Sequence, residues 1–345
     1  MYIIIYDFGT SSVKSCLFEI DTEIHLVTAS AAGYGLYISD DGGAEQDTEE
    51  WWAALCTTTR DVLDKSDIRA EEIEGMAFCS QMQGSVFVDR DGKAVRPPMN
   101  YLDQKGYKEY KNCMGRGIIK VSGCSLYKLV RNLIVNYAGS TSAKDPVWKY
   151  KWVENNEQKV YNKIYKWLDI GDYLNARCTG RIVRTADTAF ATFLYDTRKG
   201  KEGWNKGLLK MYKVNPDHMP EIIDCTDLVG GLTEKAAADL GLVAGIPVFG
   251  GGGALSPVTC QMLADITGRT IETVSNTQEV GAIGAALVVA AGIMGVDVLE
   301  LSKQLVKPVN NYIPNSDNKK TYDHNYNVFK KLYKSNASSF KELNG

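Results

Sequence analysis

Histidine is scarce in this sequence. His25, His218 and His324 are the three present, so a histidine triad or an imidazole metal site has little to be built from. The eight cysteines include no CxxC pair, the nearest two being Cys113 and Cys124. That scatter excludes zinc-ribbon spacing and argues against a disulfide framework; it suits buried thiols in a reducing, cytoplasmic setting. Positive charge is not in excess either. Lys and Arg number 39 against 42 Asp and Glu, a net charge of −3, which gives no electrostatic reason to expect nucleic acid or an anionic membrane as partner. The GKS or GKT of a P-loop is absent. Long apolar runs are missing as well. The opening "MYIIIYDFGT" has no basic n-region and is not expected to be a signal peptide. "VGAIGAALVVAAGIMGV" (280–296) is short for a membrane span and rich in Gly and Ala, which predicts a buried, closely packed helix.

What is present reads as a globular α/β protein. The 345 residues, 44% hydrophobic and 23% charged, are enough for two domains with ordinary cores. Apolar runs at 2–6, 13–20 and 24–29 predict an antiparallel meander. A helix is predicted from Asp47, with Trp51, Leu55 and Val62 on one side, Asp47 as N-cap and Glu50 completing a capping box. Trp51 and Trp52 are expected to pack that helix on a sheet. Residues 73–81 read as a buried strand, and 85–97 as a hairpin turning at Asp91–Gly92. The pattern from 127 to 178 is helical, 180–191 looks extended, and "TEKAAADLGL" is helical again. Further on come a helix at 257–267, a strand at "TIETV", a helix at 278–293 and a polar tail. Neither an internal repeat nor a low-complexity linker is visible.

"YDFGTSSVK" (6–14) puts an acid at a strand end, Gly-Thr in a tight turn, and Lys14 on the next strand. Such a hairpin can aim backbone N–H groups and a hydroxyl at phosphate oxygens while the acid holds Mg²⁺ through water. Taken alone, Asp7 reads equally as the cap of an ordinary hairpin. Five further segments follow in order: "AEQDTEEWW" (44–52), "CSQMQG" (79–84), "YLDQKG" (101–106), "DIGDYLNARCTG" (169–180) and "GGGALSPVTCQMLADITG" (251–268). With the first, they resemble the FGGY family of carbohydrate kinases, the SQMQG segment being most similar to its xylulose-kinase branch. The resemblance runs from Met1 to about Tyr333.

That resemblance implies an actin-like fold of two ribonuclease-H-like domains, here residues 1–245 and an incomplete 246–345. ATP and Mg²⁺ would be the cofactors, with Asp7, Gly9, Thr10 and Lys14 near the phosphates and Asp7 near the metal through water. Met82, Gln83 and Asp103 would line the sugar pocket, where xylulose kinases usually carry His in place of Gln83. Met82 as core packing and Asp103 as a helix cap are the plainer alternatives. Gly252, Gly253, Ala254, Ser256 and Gln261 would belong to the adenosine loop, with Gln261 and Asp265 on the helix that follows. The small-residue helix near 280–292 is expected to pack against that segment. The partners would be a small sugar and ATP, with no nucleic acid or membrane, and a second copy of the chain in a homodimer is a further expectation.

One departure stands out. In "VFGGGGALSP" (248–257) Ala254 follows the glycine tract, where the family pattern implies an Asp as general base. The second phosphate loop implied by the resemblance is missing too, and with it about half of the second domain. Asp239 and Asp265 are the nearest acids in sequence, and neither holds a strand-end position. No catalytic residue is therefore assigned. Three expectations follow: an active kinase for a pentulose such as xylulose, a non-catalytic sugar-binding relic, or an interaction protein.

Overall fold

The structure is a computed structural model and describes residues 1–21, 24–121, 123–250, 271–274, 280–306 and 308–312. The chain opens with strands Tyr2–Phe8 (β1), Ser12–Ile20 (β2) and Ile24–Gly33 (β3), paired antiparallel in succession as the apolar runs predict. Strand Ile73–Ser80 (β4) lies parallel to β1, with Asp7 opposite Cys79 and Phe8 opposite Ser80. Leu228–Gly231 (β5) and Pro247–Phe249 (β6) complete the sheet, whose order is β5-β6-β4-β1-β2-β3. β6 is parallel to β4 and antiparallel to β5. The sequences "YIIIYDF" and "IEGMAFCS" are buried over most of their length, as strands covered on both faces must be.

Helix Thr48–Ser66 (α1) starts at Asp47, whose carboxylate accepts from Glu49 N at 2.7 Å. The predicted capping box does not form. Glu50 instead accepts from Gly35 N at 2.7 Å and from Tyr37 Oη, tying down the chain that leads into the helix. Trp51 is fully buried and meets Phe8 edge-on, so it packs helix on sheet as expected. Further helices are Pro146–Asn156 (α2), Ile170–Thr179 (α3), Ala186–Phe190 (α4), Glu234–Leu240 (α5) and Val280–Met294 (α6). Side chains from α1, α3 and α5 join Ile4, Tyr6, Met76 and Phe78 of the sheet in one apolar core. A second core gathers Phe87, Trp148, Tyr150, Trp167 and Tyr212.

The small residues of α6 let it lie very close to the sheet. A Cβ on Gly75 of β4 would stand 2.8 Å from Val289 Cγ1, and one on Gly292 would stand 2.6 Å from Phe249 Cε1. Ala282, Ala285, Ala286 and Ala290 are fully buried. The expected partner of this helix, 257–268, lies outside the described residues.

Two local readings change. Residues 180–191 are not extended throughout: Val183–Thr185 is a strand, and α4 follows at once. The stretch 127–178 is not helical throughout: Lys166–Leu168 is a strand, paired antiparallel with Val86–Val88. The 85–97 hairpin forms as read, turning at Gly92 with φ of 75°, its arms joined by Val95 N donating to Phe87 O at 2.9 Å and by a Val88–Ala94 bridge. Contacts divide the chain into residues 1–253 with 281–302, and residues 254–280 with 303–345. In the second unit, Ile271–Val274 pairs antiparallel with Pro308–Tyr312. Among the described residues no single helix is long and apolar enough to cross a membrane.

Candidate functional site

Since β1, β4 and β6 run parallel, their carboxyl ends share one edge of the sheet, the edge where open α/β sheets bind ligands. Three of the singled-out segments leave from that edge: the Asp7–Thr10 turn, the Gln81–Gly84 loop and the glycine tract beginning at Gly250.

The turn between β1 and β2 is tight. Gly9 N donates to Ser12 O at 2.9 Å, and a Cβ on Gly9 would come within 3.3 Å of that oxygen. Tyr34 Oη donates toward Gly9 O at 2.6 Å and Ser12 O at 3.0 Å. Burial, with the nearby Asp7 charge, raises the pKa of Tyr34 and keeps the phenol protonated. Gln46 Nε2 donates to Thr10 O at 2.9 Å, and Thr10 Oγ1 donates to Tyr101 Oη at 3.3 Å. Lys14 faces Asp7 across the strand pair. A tight turn of backbone N–H groups beside a carboxylate and an ammonium fits the oxygen chemistry of a phosphate and its Mg²⁺.

The loop after β4 is braced to that turn. Gln81 N donates to Phe8 O at 2.8 Å, and Gln81 Nε2 donates to Gln46 Oε1 at 2.9 Å. Met82 is 47% exposed, so it is not core. Gln83 adopts the left-handed backbone, φ 64°, a conformation that costs a side-chain-bearing residue about 1 kcal/mol or more. Both of its backbone groups are held. Gln83 N donates to Asp169 Oδ2 at 3.2 Å, and Lys149 Nζ donates to Gln83 O at 2.6 Å. Next in the chain, Gly84 lies where a Cβ would be 2.6 Å from the Ile170 side chain.

The holders are themselves buried ions. Burial pushes the Asp169 carboxyl up to about 7, against the pull of Arg184. Burial likewise pushes the Lys149 ammonium down to about 8, opposed by Asp103, Asp169 and Asp145. Arg184 lies 3.7 Å from Asp169 and 3.5 Å from Asp172, all three enclosed. Such groups are tolerable only as a set, since removing one leaves its partners charged in a low-dielectric interior.

Asp103 is fully enclosed. It accepts from Ala44 N at 2.9 Å and Lys105 N at 3.1 Å, and burial raises its pKa. Its link to the loop runs through the charge of Lys149 rather than through an open pocket wall. Gly252, Gly253, Ala254, Ser256, Gln261 and Asp265 lie outside the described residues. Asp239 sits on α5 and accepts from Trp52 Nε1 at 3.1 Å, on the side of α1.

At the end of β6 the surroundings are Thr185 and Cys225. A Cβ on Gly250 would stand 2.8 Å from Thr185 Cγ2 and 3.0 Å from Cys225 O. The Cys225 thiol donates to Asp187 Oδ1 at 3.2 Å. The sequence reading does not single out Asp187, because 180–191 reads as extended and the residue carries no motif. Lys149 and Arg184 go unnoticed too, a buried Lys inside "VWKYKWVENN" being indistinguishable by pattern from an exposed one, while Asp169 falls in the "DIGDYLNARCTG" segment without a role of its own.

Residues 2–256 match the N-terminal domain of the FGGY family of carbohydrate kinases, and residues 234–293 match its C-terminal domain. The chain belongs to the FGGY family of carbohydrate kinases. A xylulose kinase of Staphylococcus xylosus is 29% identical over 252 residues, covering 73% of this chain and 48% of the relative. An autoinducer-2 kinase of Klebsiella pneumoniae subsp. pneumoniae is 26% identical over 253 residues, covering 73% and 45%. The crystal structure of gluconate kinase from Lactobacillus acidophilus superposes with a TM-score of 0.83 at 14% identity, covering 99% of each chain. This FGGY chain thus has the actin-like, ribonuclease-H-like α/β fold of the solved sugar kinases. It spans about half the length of the curated relatives it matches. The two family matches overlap at 234–256, the stretch that holds β6 and the glycine tract. Helix α6, all but its last residue inside the C-terminal match, lies on the same sheet as the N-terminal match.

Proposed function

We propose that this chain is a sugar kinase for a pentulose such as xylulose, with turnover well below that of a family member carrying an acid after its glycine tract. ATP supplies the transferable γ-phosphoryl group, and Mg²⁺ offsets its charge. Asp7 holds the metal through water, while Gly9, Thr10 and Lys14 position phosphate oxygens. Met82 and Gln83 meet the sugar, and Gln83 can donate or accept with its amide. Asp103 supports them from behind through Lys149. The segment containing Gly252, Gly253, Ala254, Ser256 and Gln261 takes the adenosine.

One observation carries this reading. The phosphate-type turn and the Met82–Gln83 loop leave adjacent parallel strands at the same edge and are joined there by Gln81 N to Phe8 O at 2.8 Å. The test is ADP release with D-xylulose and Mg²⁺, expected to vanish in Asp7→Ala. Absence of turnover across a panel of ketoses and polyols would remove the proposal.

Binding without turnover is the second reading, favoured by "GGGGALSP", which has no carboxylate after the glycines. Losing a general base commonly costs on the order of 10²–10⁴ in rate. Calorimetry with D-xylulose decides whether the pocket still binds. We attribute the short C-terminal match to an internal deletion, supported by the overlap of the two matches at 234–256. Reading the source DNA across codons 248–257 tests that attribution.

A further inference from the structure

Phosphoryl transfer to a sugar needs a group that takes the hydroxyl proton, and a positioned carboxylate is the usual one. The carboxylates around the strand ends differ in what already occupies them. Asp169 is fully buried and accepts from Gln83 N and Ile170 N. Asp172 is buried and accepts from Asp169 N, Thr185 N and Thr188 Oγ1. Asp103 holds Ala44 N and Lys105 N. Asp7 stands on the phosphate-type turn. Asp187 is half-buried, and Oδ1 takes the Cys225 thiol. Its Oδ2 has no partner among the described residues.

Three observations place Asp187 at the ligand edge. Thr185 and Cys225, its neighbours in sequence and space, press on Gly250 at the end of β6. Cys79, next to the last residue of β4, has its thiol pushed up to about 12 by burial, with the charges of Asp7 and Asp187 adding to the effect. Both carboxylates therefore bear on the same strand end. Thr185 and Thr188, which flank Asp187, are bonded to Asp172, and Asp172 accepts from the backbone of Asp169, which holds Gln83 N. The carboxylate and the sugar loop hang on one scaffold.

We propose that Asp187 is the catalytic base of this chain, its Oδ2 accepting the proton of the sugar hydroxyl. The assignment rests on the sugar-kinase reading given above. In the step, the hydroxyl oxygen forms the new bond to the γ-phosphorus and the bond from that phosphorus to ADP breaks. The hydroxyl proton moves to Oδ2 and from there to water.

The test uses the full chain, with D-xylulose and D-gluconate as probes. Asp187→Asn keeps an oxygen for the Cys225 thiol, so an unchanged urea midpoint is expected. The variant should lose about 10²–10⁴-fold in kcat, along with the acid limb of the pH–rate profile. Its KM for the sugar should move by no more than about threefold. Asp187→Glu should retain more activity than Asp187→Asn, and Glu71→Gln, on the turn before β4, should match the native chain. A readout without ATP is the ¹³C carboxyl resonance of Asp187, whose titration midpoint should shift when sugar binds. Equal turnover in the native chain and Asp187→Asn overturns the assignment alone. So does a native chain that binds D-xylulose without turning it over, or a carboxyl resonance indifferent to bound sugar. A native chain that binds neither probe removes the sugar-kinase reading, and the assignment with it.

Discussion

The ends of β1 and β4 are crowded with bonds, whereas among the described residues the end of β6 shows close packing alone. At the first two, Gln46, Gln81, Asn100, Tyr34 and Tyr101 knit the turn to the loop, and two buried ions hold Gln83 from behind. At the third, glycine meets a threonine methyl and a cysteine backbone. Yet β6 pairs with β4 in regular parallel register, and α6 packs over both. Strand pairing uses main-chain groups, which every residue has, so a strand keeps its place when its end loses a side chain. Catalysis uses side chains at set positions, so it depends on which acid stands within reach of that end.

Three substitutions sharpen or break this contrast. Arg184→Met should have the largest effect, leaving Asp169 and Asp172 buried without their cation and costing about 3–5 kcal/mol in a denaturant titration. Hydrogen exchange should then rise at Gln83 before it rises at Val248. The reverse order would mean that the braced end is not held by these ions. Gly75→Val acts under α6, near the start of β4 and away from the ligand edge, forcing a side chain into the space taken by Val289 and costing about 1–3 kcal/mol. Protection should fall on β6 while β1 and β2 keep theirs; uniform loss would show that α6 supports the whole sheet. Gln83→Gly should be smallest, a gain of up to about 1 kcal/mol from removing the left-handed side chain, seen as a higher urea midpoint. Binding of D-xylulose should weaken in the same variant. Unchanged binding would take Gln83 out of the sugar pocket.

Much of the frame was legible in the residues. The meander at 2–29, the Asp47 cap and the burial of the Gly/Ala-rich helix follow from periodicity and capping chemistry, which are local. The Asp7–Lys14 turn was legible because its residues are consecutive. Glu50 was read as the second half of a capping box, but it bonds Gly35 and Tyr37, partners that only chain reversal brings near. Asp187 was invisible for a related reason. Its neighbours Cys225 and Gly250 are far along the chain, and its oxygen geometry depends on α4 forming where an extended run was expected.

By itself, then, the order of residues determined the elements, the family motifs and the absence of a carboxylate after the glycine tract, since each is a property of neighbouring positions. Tertiary structure alone decided that β1, β4 and β6 end together, that α6 lies on the sheet between them, and that Lys149 and Asp169 grip Gln83. Those outcomes depend on which distant segments meet and exclude water, and the burial that shifts Lys149 and Asp169 exists only once they have met.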